Sequence, residues 1–136
     1  MEKYRVALII VTFNRLETLK KNLGFVRSQK RKPEYVVIVE NGSTDGTIEF
    51  LDSQKEFDFL PMGENIGWSG GLDEGMKYAR EKWNPDFYWL MDDDSFPNSI
   101  VLSTLMSKLL EQSEPGIMGL IGCNFKYGMP YVPNPS

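Results

Sequence analysis

Phe87-Tyr88-Trp89-Leu90-Met91 is an unbroken apolar run that stops at the carboxylates Asp92-Asp93-Asp94 and is closed off by Ser95-Phe96-Pro97. A run so continuous suits a strand covered on both faces. Acids at its end then lie at the C-terminal edge of an open α/β sheet, the edge at which such sheets bind ligands. Side chains alternate along a strand, so Asp92 and Asp94 are expected to point to one face, with Cα atoms roughly 6–7 Å apart, and Asp93 to the other. Asp92 and Asp94 are then the expected ligands of a Mg²⁺ or Mn²⁺ ion, since these hard cations are held by carboxylates together with substrate phosphates and water. The alternative is a solvated acidic turn, or a helix start in which Asp and Ser cap a helix begun by Pro97.

Near the N-terminus, Val6-Ala7-Leu8-Ile9-Ile10-Val11 is a second continuous β-rich run within residues 4–12 and predicts a central strand. Leu16, Leu19, Leu23 and Val26 recur at helical spacing among charged residues, which predicts an amphipathic helix from about Arg15 to Arg27. A buried strand over 35–39 ends at Glu40-Asn41-Gly42-Ser43, and Thr44 or Asp45 can cap the helix that carries Ile48 and Leu51. A short strand over 57–60 and a glycine-rich loop from Gly63 to Gly71 lead to a helix with Leu72, Met76, Ala79 and Trp83 on one face. After the acidic strand, a helix from Ile100 to Leu110 ends at Glu114-Pro115-Gly116, and Ile117 to Cys123 is a further candidate strand. The expected fold class is therefore α/β, a mostly parallel central sheet with helices on both faces. The domain is expected to occupy residues 1–126, followed by a Pro-rich extended tail at 127–136.

At 136 residues, 41% hydrophobic and 25% charged, the chain has the make-up of one soluble domain. No apolar run approaches the roughly 20 residues of a membrane span, and the N-terminus lacks a signal-peptide pattern. The expected location is cytoplasmic, with peripheral association at the inner face of the membrane left open. A net charge of −4 argues against nucleic acid as a partner, although Lys20, Lys21, Arg27, Lys30, Arg31 and Lys32 form a local basic face. Lone Cys123 reads as a core residue. With no His in the chain, His-based zinc sites and His-activated nucleophiles are excluded, so acid, base and metal roles fall to carboxylates.

Parallel topology brings every strand-to-helix junction to one edge. These junctions are Thr12-Phe13-Asn14-Arg15, Glu40-Asn41-Gly42-Ser43-Thr44-Asp45-Gly46-Thr47, Asn65-Ile66-Gly67-Trp68-Ser69-Gly70-Gly71 and the acids. The glycines permit close backbone approach to a ligand at a helix N-terminus, or simply tight packing of a turn. Their spacing is neither that of a P-loop nor that of a dinucleotide fingerprint after the first strand. Trp68 either stacks on a base or sugar or pins its loop to the core. Asn41-Gly42 also reads as a turn requiring positive φ.

In this order the four junctions, spanning roughly residues 4–110, resemble the motifs of family 2 glycosyltransferases, most closely the bacterial rhamnosyl- and galactofuranosyltransferase-like branch. The resemblance implies a GT-A, Rossmann-like nucleotide-diphospho-sugar domain that inverts the anomeric carbon. Mg²⁺ or Mn²⁺ would bridge the acids and the diphosphate of a UDP- or dTDP-linked donor, and the partner receiving the sugar would be a glycan or lipid-linked acceptor. It also implies that Thr12 and Phe13 line the nucleoside pocket, with Asn14 and Arg15 beside them, and that Glu40, where the family more often has Asp, contacts the base next to Asn41. Asn65, Gly67, Trp68 and Gly71 would border the nucleotide and donor sugar. Asp92 and Asp93 would face the donor, Asp92 near the ribose or metal, and Asp94 would coordinate the metal directly. An acceptor base is expected beyond Ser136; Asp93 and Glu64 are substitutes without a motif behind them. The competing readings are a non-catalytic nucleotide-sugar binding module and a phosphoacceptor receiver domain. The latter needs an acidic pair directly after the first strand, where this chain has Val11-Thr12-Phe13-Asn14-Arg15.

Overall fold

The computed structural model describes residues 4–111, 124–126 and 129–131. They fall in two compact units, residues 1–103 and 104–136. The first is built on a four-stranded parallel sheet of β1 (Val6–Thr12), β2 (Tyr35–Glu40), β3 (Asp58–Pro61) and β4 (Phe87–Asp92), in the order β3-β2-β1-β4. Every residue of β1 is buried, as a continuous apolar run between two neighbouring strands requires. Between the strands run α1 (Leu16–Arg27), α2 (Thr47–Ser53) and α3 (Gly67–Lys82), and α4 (Val101–Leu110) follows β4.

Alternation divides the core. Ala7, Ile9, Val11, Val37 and Val39 form one cluster with Leu72 and Ala79 of α3. Leu8, Ile10 and Ile38 face the other side, where Asn22 of α1 reaches Sδ of Met91. Registry then fixes the functional edge, because Thr12 lies opposite Glu40 and Val11 opposite Asp92. The last residues of three strands are thereby brought side by side.

Several boundaries differ from the sequence reading. The third strand is shifted to Asp58–Pro61 and the last described helix begins at Val101. The supposed glycine loop is largely the first turn of α3, which starts at Gly67. Glycine is a poor helix former, but Gly71 and Gly75 let this helix lie almost in contact with Val11 and Ile9 of β1. Among the described residues of the second unit, β5 (Asn124–Lys126) pairs antiparallel with β6 (Met129–Tyr131), so part of the expected tail has a partner strand. The helix stop at Glu114-Pro115-Gly116 and the strand expected over 117–123, with Cys123, lie outside the described residues. Among the described residues no helix is long and apolar enough to cross a membrane. Much of the basic face is occupied internally: Arg27 binds Glu56, Lys20 binds Glu17, and Lys21 lies over the Phe96 ring.

Helix α2 begins after Gly46 at φ 92°, and the cap is supplied by Asp45 one residue earlier. Asp45 Oδ1 accepts from the Thr47 hydroxyl at 2.5 Å and the Thr47 amide at 3.2 Å, while Oδ2 accepts from the Leu16 amide at 3.0 Å. One carboxylate thus serves the N-termini of two helices. The Thr47 hydroxyl, helped by the backbone amides and opposed by burial, holds the Asp45 carboxyl below its ordinary value. A depressed native value makes this contribution complete above the unfolded value of 3.8 and removes it as pH falls through the native one. The Tm difference between wild type and Asp45→Ala should therefore be constant above about pH 5 and shrink below about pH 4. A difference unchanged at about pH 2 would show that Asp45 acts without its charge.

Candidate functional site

Strand β4 ends at Asp92, and the chain turns at once: the Ser95 amide donates to the Asp92 carbonyl at 3.2 Å. The alternation expected to separate Asp93 from its neighbours therefore does not extend to it. Carboxylate oxygens of Asp92, Asp93 and Asp94 all lie within 4.8 Å of one another. The first helix and its loop hold this turn. Thr12 Oγ1 donates to Asp93 Oδ2 at 2.9 Å, and Arg15 Nη1 donates to Asp93 Oδ1 at 3.1 Å. The same nitrogen is 3.4 Å from Asp94 Oδ2. Asn22 Nδ2 donates to the Ser95 carbonyl at 2.6 Å.

Exposure separates the acids. The Asp93 side chain is 2% exposed and that of Asp94 56%. Asp92 is half-buried, and its Oδ1 accepts from the Asp93 amide at 2.9 Å. Burial pushes the Asp93 carboxyl above its ordinary value, against the hydrogen bond from Thr12; the charges of Asp92 and Asp94 add to the rise and Arg15 opposes it. Asp93 is thus an internal anchor of the turn, whereas Asp94 is open to a ligand. With both Asp93 oxygens engaged, the hard oxygens of Asp92 and Asp94 beside it are the donors that fit Mg²⁺ or Mn²⁺.

The neighbouring loops are laced together at the same edge. Asn14 adopts φ 47°, a conformation that Asn tolerates better than most side chains. Its amide donates to Ser43 Oγ at 2.9 Å, and its Oδ1 accepts from the Thr44 amide at 2.7 Å. The Asn41 amide donates to the Thr12 carbonyl at 3.0 Å, and Asn41 Nδ2 donates to the Gly67 carbonyl at 3.1 Å. Asn65 Oδ1 accepts from the Gly67 amide at 2.9 Å, and Gly67, at φ 80°, has open space where a Cβ would stand. Phe13 and Trp68 are 40% and 51% exposed, so Trp68 is not an anchor in the core but an aromatic surface beside the loops.

Two expected contacts are placed differently from the rest. Gly71, expected beside the nucleotide, is buried, and a Cβ there would stand 2.8 Å from Val11 Cγ1. Glu40 is fully buried, with Oε1 accepting from the Ser43 amide at 2.5 Å. Among the described residues Glu40 Oε2 and Asn41 Oδ1 have no hydrogen-bond partner. Ser43, read from sequence as part of a turn and helix cap, instead ties the Asn14 and Glu40 loops together, and Asn22 is a contributor that the sequence reading does not name. Asn22 had a visible signal, a polar residue on the apolar face formed by Leu19, Leu23 and Val26.

Comparison with known proteins gives this edge a context. Over 104 residues the chain is 36% identical to galactofuranosyltransferase GlfT1 of Mycolicibacterium smegmatis, covering 75% of this chain and 34% of that protein. It is 28% identical to cholesterol galactosyltransferase of Borreliella burgdorferi, covering 79% and 30%. The chain therefore spans about a third of the length of these relatives. Among solved structures, mannosyltransferase PcManGT from Pyrobaculum calidifontis in complex with GDP-Man and Mn²⁺ superposes with a TM-score of 0.68 at 21% identity, covering 85% of this chain and 34% of that one. S. aureus TarS in complex with UDP gives 0.63 at 21% identity, covering 79% and 32%. These similarities show the GT-A arrangement of the sheet. The family model described as glycosyl transferase family 2 matches residues 7–134, almost the whole chain, and the chain belongs to that family.

Proposed function

We propose that this chain is the donor-binding part of an inverting, metal-dependent glycosyltransferase. It would take a sugar from a UDP- or dTDP-linked donor and pass it to a glycan or lipid-linked acceptor in cell-wall or polysaccharide synthesis. One observation carries the reading: an open carboxylate, Asp94, lies beside a buried partner at the edge where the Thr12, Asn41 and Gly67 loops are hydrogen-bonded together. The PcManGT complex with GDP-Man and Mn²⁺ and the TarS complex with UDP support it by analogy of fold.

In this reading Thr12 and Phe13 border the nucleoside, with Asn14 fixing their loop. Glu40 and Asn41 offer buried acceptors at the base, and Asn65, Gly67 and Trp68 border the diphosphate and sugar. Asp92 and Asp94 would hold Mg²⁺ or Mn²⁺, which when bound supplies Lewis-acid stabilisation of the charge on the departing diphosphate. Asp93 keeps Thr12, Arg15 and the turn in place. Because Asp93 is closed off by these partners, removal of the acceptor proton is not its task. We assign that base to the part of the longer relatives that this chain does not span.

Calorimetric titration with UDP, dTDP and GDP, with Mn²⁺ or with chelator, tests the proposal. Binding of at least one nucleotide should be about tenfold or more tighter with Mn²⁺, a difference of roughly 1.4 kcal/mol. Equal affinity in chelator removes the metal from the reading. Absence of binding under either condition removes the donor site.

A further inference from the structure

Arg15 is shared between two carboxylates of opposite character. Its Nη1 is 3.1 Å from Oδ1 of buried Asp93 and 3.4 Å from Oδ2 of exposed Asp94. The shorter contact is a hydrogen bond to a group that has no access to water, so losing it would leave a buried acid short of a partner. The longer one exceeds good hydrogen-bond length and joins two side chains that are each about half exposed, 51% and 56%. Such a contact is weak and readily exchanged. Yet a turn with three carboxylates within 4.8 Å of one another needs positive charge, and the Arg15 guanidinium supplies it.

We infer that Arg15 is a resident counter-ion of the acid turn, which a divalent cation displaces from Asp94 but not from Asp93. The inference rests on the donor-site reading and adds a role for Arg15 within it. Tethered to Asp93, the guanidinium keeps its remaining N–H donors at the rim of the site, where a diphosphate would lie. Its planar fork suits phosphate oxygens, which a compact ammonium matches less well. The release of Asp94 and the binding of the phosphates are then coupled. Arg15 depresses affinity for the cation alone and raises it when a nucleotide diphosphate is present.

Mn²⁺ binding to the whole chain, followed by electron paramagnetic resonance with and without UDP, tests this. Arg15→Gln should bind Mn²⁺ alone about three- to tenfold more tightly than wild type, because a competing charge has gone. The enhancement of Mn²⁺ affinity by UDP should shrink in the same variant. Arg15→Lys, which keeps the charge without the fork, should retain wild-type affinity for Mn²⁺ alone but lose part of the enhancement. A purely structural role predicts the opposite sign, since a loosened turn binds Mn²⁺ more weakly; unchanged or weakened binding by folded Arg15→Gln overturns the inference. The wild type gives a check that needs no variant: saturating Mg²⁺ must shift the Arg15 guanidinium NMR signal, and an unmoved signal likewise overturns it. If wild type binds Mn²⁺ neither alone nor with UDP, the donor-site reading itself fails. Binding by wild type with no change in either Arg15 variant sinks only the present inference.

Discussion

Asp94→Ala is expected to abolish metal-dependent binding of nucleotide diphosphate, with affinity in Mn²⁺ falling about tenfold or more, to the chelator value, while stability stays within about 0.5 kcal/mol of wild type. The reason is exposure. Asp94 is 56% exposed, and among the described residues its partner is the weak contact from Arg15, so folding loses little when the carboxylate goes. Asp93→Ala should show the reverse priority. That side chain is 2% exposed and accepts from both Thr12 and Arg15, so its removal strands a buried hydroxyl and leaves Arg15 unanchored. Such a loss costs about 1–3 kcal/mol for each buried group left unpaired. Binding by Asp93→Ala should weaken only as far as the turn loosens. Urea denaturation of both variants beside calorimetry at matched folded concentration decides the matter. If Asp94→Ala keeps its Mn²⁺-dependent affinity, or Asp93→Ala is as stable as wild type, the division of roles between anchor and ligand is wrong.

That division was not readable from the sequence, although the site's position was. Continuous apolar runs such as Val6-Ala7-Leu8-Ile9-Ile10-Val11 announce buried parallel strands, and parallel strands put their junctions on one edge whatever the details of the loops. Strand alternation predicted opposite faces for Asp93 and Asp94 because it assumed that the strand continued. The strand stops at Asp92, and the orientation of Asp93 is decided by Thr12 and Arg15, 81 and 78 residues away. Local periodicity contains no such information. The stretch from Gly67 to Gly71 misled for a related reason: its composition is that of a loop, but packing on β1 makes it helical. Buried polar residues were half legible. Gln29, which donates to the Pro97 and Asn98 carbonyls and accepts from the Leu102 amide, lies just after an amphipathic helix, and nothing local names partners that distant. Glu40 was legible as an acid at the edge but not as one drawn inward onto the Ser43 amide.

Gly75 should prove the least replaceable glycine of α3. A Cβ at this position would stand 2.5 Å from Cγ2 of Ile9 and 2.9 Å from Cγ2 of Val39. Both neighbours are fully buried residues of central strands whose β-branched side chains are stiff at χ1. Ala at a helix interior is worth about 1 kcal/mol over Gly, whereas forcing a methyl into a close-packed core costs about 1–3 kcal/mol or more. At separations this short the steric cost prevails, so Gly75→Ala should lose about 1–2 kcal/mol net, and Gly75→Val should fail to fold. Gly24 is the matched control. It lies in the interior of α1, is exposed and has nothing within 4 Å of where a methyl would stand, so Gly24→Ala should gain about 0.5–1 kcal/mol from propensity alone. The close approach of α3 to β1 also sets where Gly67 and the Asn65 turn meet Asn41, so folded Gly75→Ala should bind nucleotide diphosphate more weakly than Gly24→Ala. Thermal denaturation of the three variants, with UDP titration of those that fold, reads both effects. A Gly75→Ala protein as stable as Gly24→Ala would mean that the helix can retreat from the sheet without cost, and that its distance from β1 does not position the loop.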